Sequence, residues 1–189
     1  YNMLDCWQWG VSASWYLAEG QSVAFQFANS PLSYEGSMFA YNAAWRGEWE
    51  HYESYWTANL WQMADAAYLK SLNFGNRFHF GPVTVDLEYM TRAADLKGLF
   101  TDDFTFIAAP SYTFADIFRI FGKFGWERVA DDLPYELAYE GYTGTDYLFY
   151  GAGVEVFPFP NKDVRLHAAW SGNNFDENYL NVGITWKFN

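Results

Sequence analysis

The chain is poor in several things, and each shortage excludes a class. It has a single cysteine, Cys6, so no internal disulfide and no multi-thiolate metal site can form. It has no apolar run of the roughly 18 residues that a membrane-crossing helix needs. Basic residues number 11 against 23 acidic ones, a formal charge of −12. That balance argues against nucleic acid, which requires a basic footprint. Nucleophile elbow, phosphate loop and metal-ligand spacing are all missing. Asp86 and Glu88 share a face, but so do all strand residues at i and i+2. No catalytic residue, cofactor or metal site is expected, and the protein reads as a non-enzyme.

What is present is aromatic. Phe, Trp and Tyr make up 23% of the chain, while its mean hydropathy lies slightly below zero. Those two facts are compatible if each strand is apolar on one side only. The final stretch shows this most clearly. Leu180, Val182, Ile184, Trp186 and Phe188 fall on one parity; Asn181, Gly183, Thr185, Lys187 and Asn189 fall on the other. A strand sends successive side chains to opposite faces, so one face here is apolar and the other polar.

The same alternation recurs along the chain, giving about eleven strands. They begin near Cys6, Ser22, Met38, Ser54, Ala67, Val83, Asp103, Ile117, Tyr147, Val164 and Tyr179. Pro110, inside the seventh, predicts a bulge, since proline breaks a ladder bond. The connections AEGQ, that at His51, GP, FAD and PFPNKD are short. Those between them, including a loop over 63–66, are expected to be mostly longer and more acidic. The longest, Val129 to Asp146, carries Asp131, Asp132, Glu136 and Glu140. Solvated surface, repulsion of anionic lipopolysaccharide and cation bridging to it all fit that loop.

The charged residues keep to one parity. Arg46, Glu48, Arg77, Asp86, Glu88, Arg92, Arg119, Lys123, Glu127, Glu155, Arg165 and Lys187 all oppose the apolar face. A basic residue at the lipid midplane costs roughly 2–4 kcal/mol. This segregation therefore predicts an antiparallel transmembrane β-barrel whose interior these residues line. For any one of them, pairing across strands to brace the wall is the plainer role. For the set, a hydrated passage is the better reading, with a plugged or filled barrel as the other. His51, His79 and His167 are isolated in sequence and read as structural. Trp and Tyr near strand ends read as interfacial girdles. A soluble lectin-like sandwich would need a second apolar layer.

Several segments resemble a known family. They are FAYNAAWRGEWEHYESYWTANLWQ from Phe39, GNRFHFGPVTVDLEYMTRA from Gly75, IFGKFGWERV from Ile120, GTDYLFYGAGVEVFPFPNKDVRLHAAW from Gly144 and LNVGITWKFN from Leu180. Together they are similar to the C-terminal part of Bacteroidetes outer-membrane porins of the phosphate-selective O/P type. Asn181, Gly183, Trp186 and Phe188 resemble the signal read by the barrel-assembly machinery, with Asn189 following the usual terminal aromatic. The resemblance implies a bacterial outer-membrane location and a barrel of about sixteen to eighteen strands. It also implies a homotrimer in contact with lipid and lipopolysaccharide, passing small anions or other polar solutes. The expectation is one barrel domain over 1–189 whose first strands, about five, precede Tyr1. A blocked barrel serving as a structural subunit of a larger outer-membrane complex is the alternative.

Overall fold

The computed structural model describes residues 9–30, 38–64, 67–93, 96–100, 103–128 and 146–187. Eleven strands form one antiparallel sheet in sequence order. They are β1 (Gly10–Ala18), β2 (Gln21–Asn29), β3 (Phe39–Trp49), β4 (Tyr52–Ala64), β5 (Ala67–Phe80) and β6 (Val83–Ala93). β7 (Asp103–Phe114), β8 (Phe118–Arg128), β9 (Asp146–Val156), β10 (Val164–Asn173) and β11 (Asn178–Trp186) complete it. Each strand pairs with its chain neighbour, and β1 and β11 are the two edges. The described residues contain no helix.

Tight turns lock the register. Gly20 and Gly81 adopt left-handed φ angles of 71° and 60° in the β1–β2 and β5–β6 turns. Ala115 and Asp116 do so in succession, at 49° and 58°. Two consecutive left-handed residues give the turn twist that suits a tight hairpin. Ile117 N–H then donates to Phe114 O at 3.1 Å.

Three local expectations need correction. Met63 and Ala64, expected in a loop over 63–66, belong to β4, which runs to Ala64, and β5 starts at Ala67. Ser171 to Asn178 reads in the sequence as a polar loop, but β10 runs to Asn173. Pro110 causes no bulge: β7 and β8 pair with the same offset at Ala108↔Phe124 and Ser111↔Phe121. The ladder skips the proline, and Gly122 opposite leaves room for its ring. Cys6, Phe188 and loop residues Asp131, Asp132, Glu136 and Glu140 lie outside the described residues.

A second layer would bury large apolar side chains. Instead, the only buried hydrophobic residues among those described are Ala28, Ala40, Leu69 and Ala93. Val11, Trp15, Leu60, Ile120, Val182 and Ile184 stand exposed. The described residues form one sheet with no second sheet packed on it, which removes the sandwich alternative. Neighbouring rings of the apolar face hold each other. Trp45 and Trp56 lie 5.4 Å apart, Trp56 and Phe74 5.5 Å, Phe104 and Trp126 4.9 Å. Each such pair adds about 0.5–1.5 kcal/mol beyond area burial.

Candidate functional site: the charged face of the sheet

Register carries each face across the whole sheet. Val23, Trp45, Trp56, Phe74, Tyr89, Phe106, Trp126 and Leu148 are successive partners on the apolar face. The charged set forms rows on the other. Arg46 pairs Tyr55, Glu53 pairs Arg77, and Arg77 pairs Asp86. Arg92 pairs Asp103, Arg119 pairs Glu155, and Glu155 pairs His167. Glu88 faces Gly75, Glu127 faces Thr105, Lys123 faces Gly151 and Arg165 faces Thr185. Lys187 follows β11, its N–H donating to Asp163 O at 2.9 Å.

The face divides into charge clusters. Arg46 is ion-paired with Glu48 along β3. Arg77 holds Asp86 through two bonds, and His79 Nε2 meets Glu53 at 3.0 Å. Arg92 Nη2 lies 3.0 Å from Asp103 and 3.7 Å from Glu127. Two carboxylates on one guanidinium make this cluster net negative.

A fourth cluster has the opposite balance. Glu155 takes Arg119 Nη1 on Oε2 at 3.3 Å and Arg165 Nη1 on Oε1 at 3.1 Å. The remaining guanidinium donors reach Ser111 Oγ at 3.1 Å and Thr185 Oγ1 at 3.2 Å. Glu155 is buried beneath two half-buried arginines. A shared carboxylate leaves this cluster net positive. Hydrogen bonds fill the rest of the wall: Asn42 Nδ2 to Gln26 at 2.9 Å, Trp61 Nε1 to Asn42 at 2.9 Å, Asn73 Nδ2 to Glu88 at 3.2 Å.

Sequence reasoning missed polar groups on the apolar face. Tyr52 and Ser54 both donate to Asn76 Oδ1, at 2.6 and 2.9 Å, so this group is satisfied internally. Lys70, and the pair Arg128–Asp146 at 4.0 Å, also fall on apolar parity, near strand ends. A second surprise is residues 96–100. Phe100 lies between Phe74 and Tyr89, with centroids 6.4 and 6.2 Å away. Its N–H donates to Thr91 Oγ1 at 2.9 Å, and Thr91 donates to Asp103 O at 2.8 Å. The connection therefore folds back over the apolar face. Of the expected assembly signal, Asn181 Oδ1 lies 2.8 Å from His167 Nε2, placed to accept its N–H, and Gly183 lies beneath the His167 ring. Trp186 pairs Val164.

No protein-family model and no curated protein matches the sequence. Two solved structures match the fold. One is a porin refined at 1.8 Å, with TM-score 0.70, 14% identity, 95% of this chain and 61% of that chain covered. The fold is porin-like. The other is the outer membrane channel DcaP of Acinetobacter baumannii, with TM-score 0.67, 11% identity, 93% of this chain and 60% of that chain covered. The chain thus spans about three fifths of the length of each porin-type neighbour.

Proposed function

We propose that this chain supplies eleven strands of a larger closed barrel in a bacterial outer membrane. The barrel passes small polar or anionic solutes passively through a wetted lumen. The observation that carries this is the register-locked division of the sheet. Every ion pair of the clusters Arg46–Glu48, Arg77–Asp86, Arg92–Asp103 and Arg119–Glu155–Arg165 sits on one face. The opposite face exposes aromatic and aliphatic side chains too numerous for water alone. Only closed sheets or helices satisfy all backbone groups in lipid. Among the described residues β1 and β11 are the two ends of the sheet, and this, with the partial coverage of the neighbours, supports further strands between them.

Fixed charges along the lumen would act on solutes through their local field. The net-positive cluster at Glu155 favours anions, because guanidinium forks suit carboxylate and phosphate. It is the feature most in keeping with the phosphate-selective O/P resemblance. The net-negative cluster at Arg92 opposes it, so the balance of the two sets ion preference. Homotrimer formation, lipopolysaccharide contact and handling by the assembly machinery belong to the same reading.

One observation favours the blocked-barrel alternative. Ala28, Ala40, Leu69 and Asp103, all on the charged face, are almost fully buried, so that part of the wall is closely packed, not open to water. Planar-bilayer recording of the full-length protein separates the two. Stepwise conductance with a reversal potential set by a salt gradient is expected. Absence of steps from inserted, folded protein would overturn the channel.

A further inference from the structure

A hollow on the charged face of β8, β9 and β10 is built around a glycine. Gly151 is its floor, with Lys123 beside it on β8 and Ser171 on β10. Phe149 and Phe121 bound it on either side, each in register with another glycine, Gly125 and Gly153. A Cβ on Gly125 would lie 1.9 Å from Phe149 Cζ, and one on Gly153 2.5 Å from Phe121 Cζ. Each ring therefore rests on glycine backbone, an approach no other residue permits. The floor cannot be filled either, since a Cβ on Gly151 would meet Trp170 O at 2.8 Å. What remains is a concavity of about 310 Å³, the lower end of the range for small-molecule sites.

The charge in the hollow differs from the rest of the wall. Each arginine of the clusters above is ion-paired. Lys123 has no carboxylate partner among the described residues, and its Nζ stands 5.2 Å from the Phe149 centroid. Rings that merely cover glycines would brace the wall without a cation. An ammonium lacking a counter-charge, beside aromatic surface, complements a solute with a flat C–H face and one negative group. Ser171 adds a hydroxyl that can donate or accept.

We propose that this hollow is a subsite for a hexuronate, a pyranose bearing one carboxylate. The C–H face stacks on the Phe121–Phe149 surface, the carboxylate pairs with Lys123, and a ring hydroxyl bonds to Ser171. The assignment rests on the channel reading for access, so the test has two arms. In planar bilayers, glucuronate, glucose and acetate are titrated against the ion current of the full-length protein. In detergent, glucuronate binding is followed by calorimetry, which needs no conductance.

Glucuronate is expected to block and bind at least about tenfold more tightly than either glucose or acetate. Lys123→Gln should remove the preference over glucose, and Phe149→Leu the preference over acetate. Equal block by all three, or preferences unmoved by both variants, would overturn the subsite while leaving the channel standing. Calorimetric binding without conductance would sustain the subsite and sink the channel.

Discussion

Arg77 closes on Asp86 with both prongs of its guanidinium, Nε to Oδ1 at 2.6 Å and Nη2 to Oδ2 at 3.2 Å. The two residues are direct partners across the β5–β6 hairpin, and Gly81 in the turn fixes that register. Both are partly exposed on the charged face. Their mutual attraction is screened there, which limits its value to about 0–1 kcal/mol. Asp86→Asn should therefore change unfolding in urea very little. It should nonetheless shift the reversal potential toward anions, since an uncompensated arginine is left on the wall. An unaltered reversal potential would take this pair off the solute path.

Glu155 predicts the opposite balance of effects. Its carboxylate separates Arg119 from Arg165 and is itself buried. Glu155→Gln leaves two guanidiniums facing each other with no anion between them. The loss should be about 1–3 kcal/mol, below the value for a fully buried pair because both arginines reach solvent. Unfolding in urea measures it. Adding Arg119→Gln to Glu155→Gln should recover part of the loss, because it removes the like-charge contact. A double variant less stable than the single one would show that Arg119 has another role.

The face of the twelve charged residues from Arg46 to Lys187 was legible because a strand repeats every two residues, and the register irregularities, at Tyr16–Ala18 and Gln62–Ala64, lie away from them. Lys70, Arg128 and Asp146, on the apolar parity near strand ends, were missed. Which charges meet was not legible. Arg77 finds Asp86, and Glu155 serves two arginines, only after turn lengths have set register between strands. No glycine or proline stands between 63 and 67, so nothing in the sequence marked how far β4 and β5 extend. Pro110 looked disruptive because its partner, Gly122, was unknown. The flat rings of Phe121 and Phe149 were hidden for the same reason. They sit on the charged parity, and only pairing places each on a glycine of the adjacent strand.

Thr91 offers a local test of the returning connection. It is fully buried, although it lies on the apolar face. Its hydroxyl donates to Asp103 O and accepts the Phe100 N–H. Phe100 meanwhile holds a left-handed φ of 79°, a conformation that side-chain-bearing residues adopt at a cost. Thr91→Val keeps the shape and removes both bonds. Loss of a hydrogen bond at this part-buried amide costs about 0.5–1.5 kcal/mol. Amide exchange at Phe100 should accelerate by about tenfold or more, with little change in β1–β4. Unchanged exchange there would mean that ring contacts with Phe74 and Tyr89 alone hold the segment.

Neighbouring residues Thr57 and Ala58 test the assignment of faces most directly. Both lie well inside β4, and Thr57 pairs Ala44 while Ala58 pairs Ala43. Their side chains leave opposite sides of the same strand, Thr57 toward Asn73 and Ala58 toward Leu72. An arginine at either site has the same strand propensity and the same turn context. Only its solvent differs. On the apolar face, burial in hydrocarbon should cost roughly 2–4 kcal/mol for a position near the midplane. On the charged face, the same guanidinium meets water and Asn73. Ala58→Arg should thus fold into lipid vesicles poorly, while Thr57→Arg folds nearly as well as the parent. Folding yield in vesicles, read from the mobility shift of unheated samples on gels, compares the two. Equal yields would mean that the apolar face does not contact lipid, and the reverse order would exchange the inside and outside of the barrel.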